Sequence, residues 1–323
     1  MNRPTTIAAV DAGTNAIRVE IARATGPQSY ERLHKERLPI RLGHRVFTDG
    51  YLPLPTVERA VEAFAHFAEL FRRYEVAHSR LVATSATREA RNSDDFVNRI
   101  RAKTGLKLET IGGYEEARLT AIAVDDALEA PSTPPNIVDI GGGSLEVVAT
   151  EEKLEVASTP LGTVRLMEAL DINGSIDESL RLLLARYVTT VLEGFVADFE
   201  PGHRGDAVGA GGNVEALAEI FPGEDVDGYP TLSLEALAAD IERVTELDVE
   251  QRMEAFDVRR DRAEVMGIAA VTLATVGEHL GLRRLLAPDV GVREGLLLEL
   301  SQRAARQASM RDEQHLHALS SFS

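Results

Sequence analysis

The chain has 323 residues, 44% hydrophobic and 27% charged, and contains no cysteine. That length suffices for two medium domains with a sizeable core, and the missing cysteines exclude disulfides, thiolate zinc sites and a cysteine nucleophile together. With no secretory leader pattern and no apolar run of about 18 residues, the protein is expected to be cytoplasmic, neither secreted nor membrane-spanning.

The net charge of −17 is unevenly placed. Residues 1–127 hold 19 Lys/Arg against 17 Asp/Glu, a net of +2, whereas 128–323 hold 16 against 35, a net of −19. So acidic a half argues against nucleic acid as a partner. Arg32, Lys35, Arg37, Arg41 and Arg45, with His34 and His44 among them, concentrate in 31–45. That cluster is either a solvated strand face or a lane for a polyanion.

In chain order, 6–10 (TIAAV) and 17–22 (IRVEIA) alternate as strands around the turn DAGTNA, and 28–41 continues the strand pattern. Val57 to Phe71 carries a helical apolar period introduced by LPLP. A strand at 80–84, a helix from near Ser93, a strand at 107–110 and a helix over 114–128 follow. This succession predicts an α/β fold. APSTPPN (130–136) reads as a linker, because proline cannot continue a helix and biases the preceding residue to be extended.

Beyond the linker the opening pattern recurs. AVDAGTNAIRV (9–19) aligns without gaps on IVDIGGGSLEV (137–147), which implies two related domains that each begin with a strand–turn–strand hairpin. Residues 160–323 are mostly helical by pattern, with strand candidates at 206–209 and 284–287. Each hairpin ends its first strand in a carboxylate, Asp11 or Asp139, at the strand end where ligands of α/β sheets bind. Glycines in such turns let backbone N–H groups approach an anion, although a plain hairpin has the same composition. A carboxylate beside phosphate repels it unless a divalent cation intervenes, so Asp139 and Glu146 are candidate Mg²⁺ ligands. VGAGGN (208–213) precedes a helix pattern, where Gly211, Gly212 and Asn213 could hold a further phosphate at the helix N-terminus. It lacks the P-loop lysine and is not GxGxxG.

VDAGTN, ATSATREA, GGYEEARL, VDIGGGSLE, GAGGN and GVREG occur in this order between about residues 7 and 298. Together they resemble the exopolyphosphatase and guanosine-pentaphosphate phosphohydrolase (Ppx/GppA) family of the actin-like ATPase superfamily. The resemblance implies two ribonuclease H-like domains, 1–128 and a helix-rich 129–323, with a cleft between them and a C-terminal helix able to return to the first domain. It also implies the short, two-domain form without an added HD-type domain, and a homodimer.

The same resemblance assigns roles. Glu116 is the glutamate expected to position or deprotonate water, while Glu115 suits a surface carboxylate at a helix start. Arg88 is expected to contact phosphate. Asp11, Gly13, Thr14 and Asn15 in the first hairpin, and Gly141, Gly142, Gly143 and Ser144 in the second, are expected at the phosphates, and Asp139 and Glu146 at Mg²⁺ or Mn²⁺. Leu145 stands where the family usually carries threonine, and GAGGN replaces a Gly-x-x-Gly-Thr form. Arg293 and Glu294 suit a structural ion pair as well as a substrate contact. The implied activity is removal of the terminal phosphate of inorganic polyphosphate. Alternatives are a guanosine pentaphosphate 5′-phosphohydrolase and a non-catalytic guanosine tetraphosphate or polyphosphate sensor. A kinase shares the hairpins, but not the YEEAR and SATREA pattern.

Overall fold

The computed structural model describes residues 5–128, 136–149, 154–195 and 205–320, with the side chains of 311–320 excepted. The opening hairpin is β1 (Thr6–Ala12) and β2 (Ile17–Gly26), continued by β3 (Ser29–Leu38). There follow α1 (Val46–Asp49), α2 (Leu54–Arg73), β4 (His78–Ala83), α3 (Ser85–Glu89), α4 (Ser93–Thr104), β5 (Leu108–Thr110) and α5 (Gly113–Ala127). The second half opens with β6 (Asn136–Ile140), β7 (Leu145–Ala149), β8 (Glu155–Thr159), α6 (Thr163–Ala169) and α7 (Glu178–Phe195). Next are β9 (Gly205–Ala210), α8 (Gly212–Ile220), β10 (Thr231–Ser233), α9 (Leu234–Ala239), α10 (Glu242–Thr245) and α11 (Val249–Phe256). The chain ends with α12 (Arg260–Leu280), β11 (Leu282–Leu286) and α13 (Val292–Ser320). The proline-rich linker at 130–135 lies outside the described residues, and Asn136 already belongs to β6. The last two residues of LPLP, Leu54 and Pro55, open α2 with Pro53 as its N-cap, because proline in a first helical turn removes no intrahelical hydrogen bond.

The strand order of the first sheet is β3-β2-β1-β4-β5, and that of the second is β10-β11-β9-β6-β7-β8. In both, three antiparallel strands are followed outward by parallel ones, β4 on β1 and β9 on β6. The sequence repeat is therefore a repeat of register. Asp11 faces Arg18 across the first hairpin, and Asp139 faces Glu146 across the second. The turns close alike, Gly13 N–H donating to Ala16 O at 3.1 Å and Gly141 N–H to Ser144 O at 3.0 Å.

Alternate residues of each strand enter different cores. Val10, Val19 and Leu81 pack under Phe64, Phe67 and Phe96 of α2 and α4. Ile7, Ala9 and Val82 on the opposite face pack under Val292, Leu296, Leu297 and Leu300 of α13. In the second half α12 is apolar almost all round and forms the centre of its core, as such a helix must. The guanidinium of Arg252, fully buried, donates to the carbonyls of Val244, Ala263, Gly174 and Thr245 and so fixes the first turn of α12.

Helix α5 lies between the sheets. Its Leu119 joins the core under α13, while Ala117, Val124 and Leu128 at its end join Ile137, Val148 and Val208 of the second sheet. At the crossing of α5 and α13 a Cβ on Gly295 would stand 2.1 Å from the carbonyl oxygen of Leu119. Backbone cannot yield as a side-chain tip can. Gly295→Ala should cost about 1–3 kcal/mol through overpacking, read as a lowered midpoint of urea unfolding; an unchanged midpoint would show that the crossing has slack.

Candidate active site

The two hairpins converge on a cleft of about 500 Å³ lined by both β1–β2 and β6–β7 turns, α5, the start of α8, the start of α12 and the segment before α13. Asp11, Gly13, Thr14, Asn15, Glu116, Asp139, Gly141, Gly142, Ser144, Gly211, Gly212, Asn213, Arg293 and Glu294, all singled out from the sequence, line it. Arg88, Gly143 and Glu146 do not.

Each of these three stands behind the wall. Gly143 packs into protein: a Cβ there would fall 2.2 Å from Ser85 Oγ and 2.6 Å from Phe47, and its carbonyl accepts from Arg165 Nε at 2.7 Å. Gly142 likewise admits Thr14 of the other hairpin, whose Cβ would lie 2.8 Å from its own. None of Gly141, Gly142 and Gly143 has a positive φ, so close packing, of Gly142 on Thr14 of the other hairpin and of Gly143 on Ser85 and Phe47, accounts for the second and third glycines in place of left-handed backbone. Glu146 is buried and accepts from Ser158 Oγ at 2.7 Å. Arg88 donates to Ile111 O at 2.8 Å and stands 3.7 Å from Glu116 Oε2.

The electrostatics are unbalanced. Glu116 Oε2 is buried and has no hydrogen-bond partner among the described residues. Burial, then Glu146, Asp139 and Asp11, push its carboxyl well above the ordinary range, against a smaller downward pull from Arg88. Burial and Asp11 raise Asp139 to about 6, although Thr120 Oγ1 donates to its Oδ2 at 3.0 Å. Burial and Asp139 raise Glu146 to about 7. Four carboxylates thus share one region in which Arg88 and Arg18, 3.2 Å from Asp11, are the nearby counter-charges. By contrast Glu115, one residue away, is held down at about 2 by Arg118 and Arg80 on the other side of α5.

Residues 21–304 match the Ppx/GppA phosphatase family. This chain belongs to that family. The guanosine-5′-triphosphate,3′-diphosphate pyrophosphatase of Photobacterium profundum is 27% identical over 308 residues, which cover 91% of this chain and 59% of that protein. Exopolyphosphatase 2 of Mycobacterium tuberculosis is 35% identical over 173 residues, covering 51% of this chain and 54% of that one. The chain therefore spans little more than half the length of these curated relatives. The crystal structure of the Aquifex aeolicus member of the Ppx/GppA family superposes with a TM-score of 0.75 at 25% identity, over 94% of this chain and 99% of that one. The two-domain α/β actin-like fold is thus shared along almost the whole chain.

Against the Ppx/GppA pattern, Leu145 is fully buried in the core of the second half, where a hydroxyl would meet apolar groups. Arg293 and Glu294 form a buried ion pair, and Arg293 Nε also lies 2.8 Å from Glu20. The basic cluster of 31–45 divides. Lys35 and Arg37 line the cleft, whereas Arg32 pairs with Glu20, Arg41 with Glu264 and Arg45 with Asp49. His34 meets Glu36 and His44 meets Glu168.

Sequence reasoning missed the cleft cations Arg18, Arg259 and Arg262. Arg262 is brought down to about 10 by burial and by Arg18, Arg259 and Arg37, against the opposing pull of Glu215. Glu215 is raised to about 7 by burial and by Asp289. The run VRRDR at 258–262, basic within an acidic half, was the available signal. No helix among the described residues is long and apolar enough to cross a membrane.

Asp139 and Glu146 bind their protons more tightly folded than unfolded. Each therefore subtracts stability as pH rises from 3.8 towards about 6 and from 4.5 towards about 7, with the full loss above those values. With divalent cations chelated, Glu146→Gln should exceed the unaltered chain in stability at about pH 8 by on the order of 2 kcal/mol, and the gap should close near pH 5. Urea midpoints at both pH values measure this. A Gln variant weaker at the higher pH would mean that the carboxylate is already compensated.

Proposed function

We propose that this chain is a Mg²⁺-dependent phosphoanhydride hydrolase that removes the terminal phosphate of inorganic polyphosphate. The observation that carries this reading is Glu116 Oε2: a buried oxygen without a hydrogen-bond partner, at a cleft, beside three further carboxylates. An enzyme that orients water needs an acceptor held free in this way. The names and coverage of the relatives support the reaction class.

The residues fit a hard divalent cation. Their donors are carboxylate oxygens, and their mutual repulsion is what a cation relieves. Among the described residues no three Asp, Glu or His groups converge as a ready-made cage, which suits Mg²⁺, since it keeps several waters and takes one or two carboxylates. Asp139 at the cleft wall, with Glu146 beside it one strand further in, would hold it, and when bound it would screen the charge of the phosphoryl oxygens.

The remaining steps fall to the chain. The N–H groups of Thr14, Asn15 and Gly142 make no backbone hydrogen bond among the described residues and are free to receive phosphate oxygens. Gly212 and Asn213 open α8, whose N-terminus favours an anion. Arg18, Arg37 and Arg262 extend the positive wall for the rest of a polyanion. Glu116, ionised once positive charge enters the cluster, accepts a hydrogen bond from water and aligns it with the terminal phosphorus, and Arg88 limits the charge that builds on it.

A second reading, hydrolysis of the 5′-terminal phosphate of guanosine pentaphosphate, is favoured by the alignment over 91% of this chain with the Photobacterium protein. Both substrates offer the same bond. Phosphate release from short and long polyphosphate, guanosine pentaphosphate and ATP should require Mg²⁺ and should fall by about 10²–10⁴-fold in Glu116→Gln. Turnover untouched by that substitution would remove the mechanism; tight binding without turnover would make the chain a sensor.

A further inference from the structure

Asp139, Glu146 and Ser158 lie in one row across β6, β7 and β8, each directly opposite the next in register. Like charges placed directly opposite in a sheet repel, so Asp139 and Glu146 stay side by side only if something else fixes them. Two hydroxyls do. Thr120 Oγ1 donates to Asp139 Oδ2 at 3.0 Å, and Ser158 Oγ donates to Glu146 Oε1 at 2.7 Å.

Thr120 departs from its usual habit in doing so. The hydroxyls of Thr104, Thr189, Thr190, Thr245 and Thr275 donate to the carbonyl four residues earlier in their own helices. Thr120, fully buried one turn after Glu116 on α5, reaches the carboxylate on β6 instead. The N-terminus of α5 meets the other end of the row. A Cβ on Gly113 would stand 2.3 Å from Ser158 Oγ and 3.4 Å from Glu146 Oε1, so only glycine leaves that hydroxyl in place. The helix that carries Glu116 therefore touches both carboxylates' supports.

We propose that Thr120 and Ser158 are positioning residues that aim Asp139 and Glu146 at the divalent cation, and that α5 couples this aim to the placement of Glu116. The inference rests on the metal-dependent reading above. Hydroxyls that orient ligating carboxylates commonly govern metal affinity, since a ligand free to rotate must be ordered on binding. Neither Thr120 nor Ser158 lines the cleft, so their loss should weaken the cation more than it alters a saturated enzyme.

The full chain, without substrate, is heated across a Mg²⁺ or Mn²⁺ titration, and the concentration giving half of the stabilisation is read. Thr120→Val and Ser158→Ala should each raise that concentration by about tenfold. Thr120→Ser, which restores the hydroxyl, should return it to the unaltered value. In assays of phosphate release the same variants should need correspondingly more Mg²⁺ for half-maximal rate while keeping most of kcat. An unaltered chain that gains stability with metal, matched by Thr120→Val at the same concentrations, overturns this inference and leaves the metal reading intact. Failure of Thr120→Ser to recover also overturns it, because packing and not the hydroxyl would then be at work. A chain indifferent to both cations overturns the metal reading and this inference together.

Discussion

The arrangement depends on holding like charges together. Asp11, Asp139, Glu146 and Glu116 repel one another in a buried region that raises the cost of every charge. They come from β1, β6, β7 and α5, elements of both halves, so no single hairpin or helix could assemble them. The framework that resists their separation is apolar. Helix α5 is clamped between two sheets, with Leu119 under α13 and Ala117, Val124 and Leu128 on the second sheet. Burial of that kind supplies the free energy to offset a repulsive cluster, roughly 25 cal/mol per Å² of apolar surface.

The duplicated hairpins have diverged in charge while keeping their geometry. Position by position Asp11 answers to Asp139 and Arg18 to Glu146, and the registers and closing hydrogen bonds agree. In the first hairpin the residue facing the aspartate is a cation 3.2 Å away, and the pair neutralises itself. In the second it is another carboxylate, which leaves a deficit of positive charge at one place. The charge at one aligned position, Arg18 against Glu146, thus separates a hairpin that balances its own aspartate from one that does not. The same comparison explains why Ser158 and Thr120 cluster around the second hairpin, where Asp139 and Glu146 need neutral donors.

Much of this was legible in the sequence because it is local. The repeat, Asp11 and Asp139, the helices α2, α4 and α5, and the strands of the first sheet follow from alternation, period and spacing within short windows, whereas Glu116 stood out only through the resemblance of GGYEEARL to the Ppx/GppA pattern. What was not legible is set by distant partners. The cluster of 31–45 looked like one basic face, yet Arg37 and Arg41 are paired with Asp261 and Glu264 more than two hundred residues away. The glycines were recognised as a group, but their reasons differ. Gly142 admits Thr14, Gly143 admits Ser85, Gly113 admits Ser158 and Gly295 admits the backbone of α5. Each is a fact about a neighbour that no window of sequence contains. Strand β8 and the short elements α1, α3 and β10 were missed because so few residues define no period.

The joint between the halves is asymmetric, and the asymmetry bears on how such a cleft admits a ligand. On the α5–α13 side a buried apolar cluster, down to the backbone approach at Gly295, is flanked by the Arg118–Glu299 ion pair. Across the opposite rim the contact is polar. Asn15 and Arg37 donate to Asp261, the backbone N–H of Arg45 donates to Glu168, and Arg165 of α6 pairs with Glu89 of α3. The partly exposed Arg165–Glu89 pair is screened by salt, whereas Asp261 is buried and buried apolar packing is not screened. Asn15 and Arg37 both line the cleft and both pair with Asp261, so the polyanion of the proposed reaction would compete for donors that Asp261 holds. The contacts at stake lie away from α5, the helix that sets Glu116 beside the second hairpin.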